Sequence, residues 1–200
     1  MLKKTKILVA GVGGQGVVFL TNLLVKSALL AGIPVATSEI HGLSQRGGSV
    51  TAGITLGENT YGFLETAGVD ILFGLEPLEA QRNIAYLHKN SIVIIDNNQI
   101  LPYVVNAGNA PYPNIEKFVE YLKENIQFVI YNTESPKNMI SVLRNLYVLG
   151  RACAETQFPI PAKFIEKAIV ELAKKGFEEK SLEAFHLGLN IKSKTVNQNK

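Results

Sequence analysis

Over the first two thirds of the chain, short apolar runs alternate with longer stretches of helical periodicity. Lys6–Ala10 (KILVA) is a short apolar run stopped by Gly11, which predicts a buried strand. From Gln15 to Leu30 apolar residues fill a helix, with Asn22 and Lys26 on its polar side and Gly32 as a C-terminal stop. Pro34–Ser38 (PVATS) reads as a second strand. Val50–Leu56 and Tyr61–Leu64 are strand-like and flank Gly57-Glu58-Asn59-Thr60, which predicts a hairpin. Val69–Phe73 and Ile92–Ile95 are further buried strands, with a helix from about Pro77 to His88 between them. Proline is tolerated in that first turn because its missing N–H has no intrahelical partner. Asn114–Glu124 reads as a helix and Gln127–Tyr131 as the last strand.

Beyond Ser135-Pro136 the alternation gives way to helices. They are expected over Lys137–Glu155, over Pro161–Lys175 with Gly176 as the stop, and over about Glu179–Leu189. Lys192–Lys200 is polar and aperiodic and predicts a frayed tail. No repeat or low-complexity linker interrupts this order. The expectation is one α/β domain over 1–192, followed by a tail at 193–200. Its helical C-terminal segment, about 136–190, closes the sheet or clasps a partner. The hairpin signal favours a mixed, mostly parallel sheet over a purely parallel one.

Composition narrows the chemistry. The 200 residues can bury ~70% of their unfolded surface without disulfides. Twenty basic against 17 acidic residues leave a scattered net charge of +3, which argues against a nucleic-acid partner. The single cysteine, Cys153, excludes an intrachain disulfide, a four-cysteine zinc site and an all-cysteine iron–sulfur cluster. No apolar run reaches membrane-spanning length, and Met1-Leu2-Lys3-Lys4 leads straight into a strand. A soluble, cytoplasmic protein is therefore expected.

The most informative segment is Gly11-Val12-Gly13-Gly14-Gln15-Gly16, which follows a strand and opens a helix. Gly11, Gly13 and Gly16 satisfy G-x-G-x-x-G in the context it requires. Such a turn brings free N–H groups and the positive end of a helix dipole to a pyrophosphate. Glu39, just past the second strand, sits where a ribose-binding acid is expected. Glycines also serve packing alone at strand-to-helix turns, and both readings stand.

Two further loops carry weight. Ser38–Ser49 (SEIHGLSQRGGS) is long, polar and glycine-rich. Within it Arg46 can hold a phosphate or carboxylate bidentately and Gly47-Gly48 permit close backbone approach; a solvated turn is the plainer alternative. Leu75–Ala80 follows a strand, with Glu76 as a helix-start acid. His41, His88 and His186 show no metal-ligand spacing, and no metal site is expected. Cys153 lies between two alanines, as a packing residue does. No G-x-S-x-G elbow is present, and no catalytic residue can be assigned.

GVGGQG after its strand, SEIHGLSQRGGSV, and GLEPLEAQR together resemble the gamma-type component of the 2-oxoacid:ferredoxin oxidoreductases. His41-Gly42 and Gln45–Ser49 are nearer to the indolepyruvate branch than to the pyruvate or 2-oxoglutarate branches. The match runs in order from about Lys6 to Gly188. The resemblance implies a three-layer α/β/α domain with a mixed sheet. It implies oxidative decarboxylation of aryl pyruvates to aryl-acetyl-CoA, with electrons passed to ferredoxin. Thiamine diphosphate and iron–sulfur clusters are then expected on a larger alpha subunit, with coenzyme A as co-substrate and no cofactor bound by this chain alone. By the same resemblance, Gly13, Gly14, Gln15 and Gly16 form a phosphate-facing or interface loop. His41, Ser44, Gln45, Arg46 and Gly47 line the junction with the alpha subunit, where Arg46 meets a coenzyme A phosphate. Three rivals remain: a stand-alone NAD-binding oxidoreductase, an adenylating enzyme of the ubiquitin-activating type, and a noncatalytic scaffold subunit. The lone cysteine counts against the adenylating enzyme, many of whose kind carry paired zinc cysteines.

Overall fold

A computed structural model of the chain describes residues 4–41, 48–58, 60–133, 135–136 and 139–191, with the backbone alone for 39–41. Six strands among them form one sheet: β1 (Thr5–Val12), β2 (Val35–His41), β3 (Ser49–Leu56), β4 (Val69–Gly74), β5 (Leu87–Asp96) and β6 (Phe128–Asn132). Their spatial order is β2-β3-β1-β4-β5-β6. β1 pairs in parallel with β4, β4 with β5 and β5 with β6, while β3 runs antiparallel to both β1 and β2. The sheet is thus mixed through one reversed strand. β1, β2, β4, β5 and β6 all deliver their carboxyl ends to the same edge.

Alternation along β1 divides the core. Ile7 and Val9 face one helical layer and Leu8 and Ala10 the other. The first layer holds α1 (Val17–Leu30), α5 (Ser141–Glu155), α6 (Ala162–Leu172) and α7 (Glu178–Leu189). The second holds α2 (Pro77–Arg82) and α4 (Ile115–Asn125), with the four-residue α3 (Tyr103–Asn106) in the connection before α4. The three-layer α/β/α architecture is therefore present, and the C-terminal helices complete one layer of it. α5 and α7 touch backbone to backbone. A Cβ on Gly150 would lie 2.1 Å from the Phe185 carbonyl oxygen, and one on Gly188 would lie 2.0 Å from that of Tyr147.

Several expectations are corrected. Tyr61–Leu64 is not a strand, and the antiparallel neighbours are β2 and β3. The 61–64 segment instead crosses the sheet: Ser38 Oγ donates to the Gly62 carbonyl at 2.5 Å, and Leu64 enters the second core. The helix expected to reach His88 stops at Arg82, because Asn83 Nδ2 turns back to the Glu79 carbonyl at 2.8 Å. A 3₁₀ turn over Ile84–Tyr86 follows, and β5 already begins at Leu87. Glu39 lies within β2, which runs on to His41, rather than past the strand end. α5 starts at Ser141 rather than Lys137. The expected tail falls outside the described residues. No helix among the described residues is long and apolar enough to cross a membrane.

Candidate functional site

The three motifs meet at the carboxyl edge of the sheet and are bonded to one another. Val12 N–H donates to Gln15 Oε1 at 2.8 Å, closing the glycine turn on itself. Gln15 Nε2 donates to the carbonyls of Leu75, at 3.1 Å, and Asn98, at 3.2 Å. Gly13 N–H donates to the Gly48 carbonyl at 2.9 Å, tying the turn to the end of the SEIHGLSQRGGS loop. Ser49 Oγ then donates to Glu79 Oε2 at 2.5 Å, joining that loop to α2. The turn, Gly48-Ser49 at the loop's end and the start of α2 are thus bonded in series.

Gln15 was expected to face a ligand together with the glycines. Its side chain is buried, and its carboxamide is committed to three internal hydrogen bonds. It acts as the brace of the turn, and the turn's backbone is what faces outward. Gly11 sits inside β1, while Gly14 is exposed at φ 97°. Gly16, at φ 87°, is the N-cap of α1 and supplies no side-chain cap. With no acidic residue in its first turn, α1 presents its positive end at this edge uncompensated. A phosphate or carboxylate is the kind of group such an arrangement takes. His41 closes β2, its backbone paired with Val50. Ser44, Gln45, Arg46 and Gly47 lie outside the described residues.

Two buried carboxylates anchor the rim. Glu76 is fully buried and is the N-cap of α2, accepting from Glu79 N–H at 2.9 Å. Its other oxygen accepts from Ile100 N–H at 3.4 Å and from the Tyr112 hydroxyl. Burial, and then the carboxylate beside it, push the Tyr112 phenol well above its usual range, so it stays a donor. Glu79 is neutralised by Arg82 Nη1 at 2.6 Å. The expectation that Glu76 is a helix-start acid holds, but it also fixes the connection between β5 and α4.

The helical C-terminal segment reaches the same edge. Asn145 Nδ2 donates to the Gln15 carbonyl at 2.8 Å, beneath the glycine turn. Arg144 pairs with the buried Asp96 at the end of β5, through both Nε and Nη2. Asn132 Nδ2 donates to Asp96 at 2.7 Å and Arg151 Nη1 to Asn132 Oδ1 at 3.0 Å, extending the network to β6. Sequence reasoning missed Asn145, Arg144 and Asp96. Asn145 stands 130 positions from Gln15 in the chain, and no local pattern marks it.

The family model described as pyruvate ferredoxin/flavodoxin oxidoreductase matches residues 6–191. A protein of Archaeoglobus fulgidus named indolepyruvate oxidoreductase subunit IorB is 34% identical over 190 residues, covering 94% of each chain. Others of that name are 30–32% identical, whereas proteins named 2-oxoglutarate synthase subunit KorC are 23–25% identical. The gamma subunit of a keto/oxoacid ferredoxin oxidoreductase from Geobacter sulfurreducens shares the fold at TM-score 0.64 and 20% identity, over 93% of this chain and 94% of that one. The 2-oxoglutarate:ferredoxin oxidoreductase of Magnetococcus marinus, solved with 2-oxoglutarate, coenzyme A and succinyl-CoA bound, also reaches TM-score 0.64, at 16% identity. There the likeness covers 94% of this chain but only 30% of the longer one. With this match spanning almost every described residue, the chain belongs to the pyruvate ferredoxin/flavodoxin oxidoreductase family, as a subunit of an oxidoreductase complex.

Proposed function

We propose that this chain is the cluster-free subunit of a cytoplasmic enzyme that converts indolepyruvate and other aryl pyruvates, with coenzyme A, into aryl-acetyl-CoA and carbon dioxide. The two electrons released pass to ferredoxin, in the anaerobic breakdown of aromatic amino acids. The higher identity to the indolepyruvate-named relatives than to the 2-oxoglutarate-named ones supports the choice of substrate. The donor set here does not fit an iron–sulfur cluster, since the only cysteine is packed against the core. As the family resemblance implies, clusters and thiamine diphosphate belong to the larger subunit, where they would supply electron transfer and decarboxylation.

The observation that carries this reading is the bonding of all three motifs into one rim at the carboxyl edge. On that rim the exposed backbone of Gly14, between the half-buried Gly13 and Gly16, and the start of α1, which has no acidic residue in its first turn, suit the phosphates of coenzyme A. Arg46, two positions before the Gly48 that bonds to the turn, supplies the cation. His41, Ser44, Gln45 and Gly47 border the larger subunit. This chain's part is to bind and orient, and the chemistry proceeds across the junction.

Arg46→Ala in the assembled enzyme tests the assignment. The KM for coenzyme A should rise at least about tenfold, the loss expected of a charge-assisted phosphate contact, with the KM for indolepyruvate unchanged. Wild-type KM for coenzyme A together with wild-type subunit association would refute it.

A further inference from the structure

The connection from Asn97 to Pro113 joins β5 to α4 at the same carboxyl edge. Such connections in α/β domains usually take about 2–6 residues, so this one is long. Its sequence, NNQILPYVVNAGNAPYP, contains no charged residue, although 18% of the whole chain is charged. It nevertheless lies in solvent. Tyr103 is 83% exposed, Val104 50%, Leu101 42% and Ile100 37%.

The segment is also held in one shape. Ile100 N–H and the Tyr112 hydroxyl both bond to the buried Glu76, and the Asn98 carbonyl accepts from Gln15. Within it, Asn106 Nδ2 donates to the Leu101 carbonyl at 3.0 Å and Asn109 N–H to that of Val104 at 2.9 Å. A fixed, uncharged, partly aromatic surface has the composition of the centre of a protein interface. Having no cation, it offers nothing to nucleic acid or to an anionic membrane.

We infer that this connection, centred on Leu101 and Tyr103, is the surface by which the chain docks onto an uncharged, apolar patch of its larger partner subunit. The inference rests on the functional reading above and gives it a surface. Three observations select this occupant. The relatives are named as subunits of oxidoreductases. In one solved relative the corresponding region is 30% of a longer chain. The patch is continuous with the rim, through Glu76 and Gln15.

The test is co-expression with the larger subunit, anaerobic purification, and a titration of subunit association. Leu101→Asp/Tyr103→Asp should weaken association by at least tenfold while the melting temperature of the chain alone stays at the wild-type value. Leu187→Lys, at an exposed apolar position on α7, should associate as wild type does. If the double variant binds the larger subunit as tightly as wild type in an active complex, the docking surface is wrong and the functional reading survives. If the wild-type chain itself does not bind that subunit, the functional reading falls and takes the surface with it. If the chain alone is a dimer that only the double variant dissolves, and the variant still binds the larger subunit, the occupant is a second copy and the proposal is overturned.

Discussion

Two glycines two residues apart, Gly14 and Gly16, do different work in the turn after β1. Gly14 and Gly16 both hold positive φ, which costs other residues about 1–2 kcal/mol. Nothing lies within 4 Å of a Cβ placed on Gly14, whereas one on Gly16 would sit 2.8 Å from Asn145 Nδ2. Gly14→Ala should therefore lose about 1 kcal/mol, and Gly16→Ala about 2–3 kcal/mol because the Asn145 clamp is displaced as well. Urea unfolding of the two variants compares them, and equal losses would contradict the clamp. Burial pushes the Cys153 thiol from its ordinary 9.0 up to about 12. At pH 8 roughly one thiol in 10⁴ is then ionised, so a thiol reagent should react fast only after denaturation. The folded state therefore holds this proton more tightly than the unfolded chain does. The contribution is complete below pH 9 and is lost as pH rises toward 12. A fast native reaction at pH 8 would refute that environment.

Among the elements, α5 joins the rim to the helical layer, because it reaches the rim through Arg144 and Asn145 while lying backbone-close to α7. Arg144→Ala leaves the Asp96 carboxylate buried without its cation and should cost about 3 kcal/mol in urea unfolding. Adding Asp96→Asn removes that charge and should recover part of the loss; a strictly additive pair would mean that the two do not interact. Gly188→Ala places a methyl group against the Tyr147 carbonyl and should lower stability by about 2 kcal/mol or more, as overpacking does. Tolerance without loss would contradict the close α5–α7 crossing.

These helices and the sheet strands β1, β4 and β5 were legible, because apolar runs and helical periodicity report burial directly. The fate of Tyr61–Leu64 was not. Its alternation is that of a strand, but a Cβ at Gly62 would lie 2.4 Å from the Thr37 carbonyl oxygen, a contact made across the sheet face rather than within it. The same holds for the site. The glycine turn announces itself in six consecutive residues, yet the inward role of Gln15 depends on Leu75 and Asn98, which stand 60 and 83 positions away.

For the whole molecule, the proposed function makes the rim one side of a junction with a partner. The rim offers turn backbone, a helix start and an uncharged apolar connection. Among the described residues no cluster of His, Cys, Asp and Glu could hold a metal ion at it. The most direct measurement is reconstitution under anaerobic conditions. The larger subunit is assayed with and without this chain for ferredoxin reduction dependent on both coenzyme A and a 2-oxoacid. Activity should require the chain and should be highest with indolepyruvate or phenylpyruvate. Full activity of the larger subunit alone, or a complex that turns over 2-oxoglutarate and ignores aryl pyruvates, would contradict it.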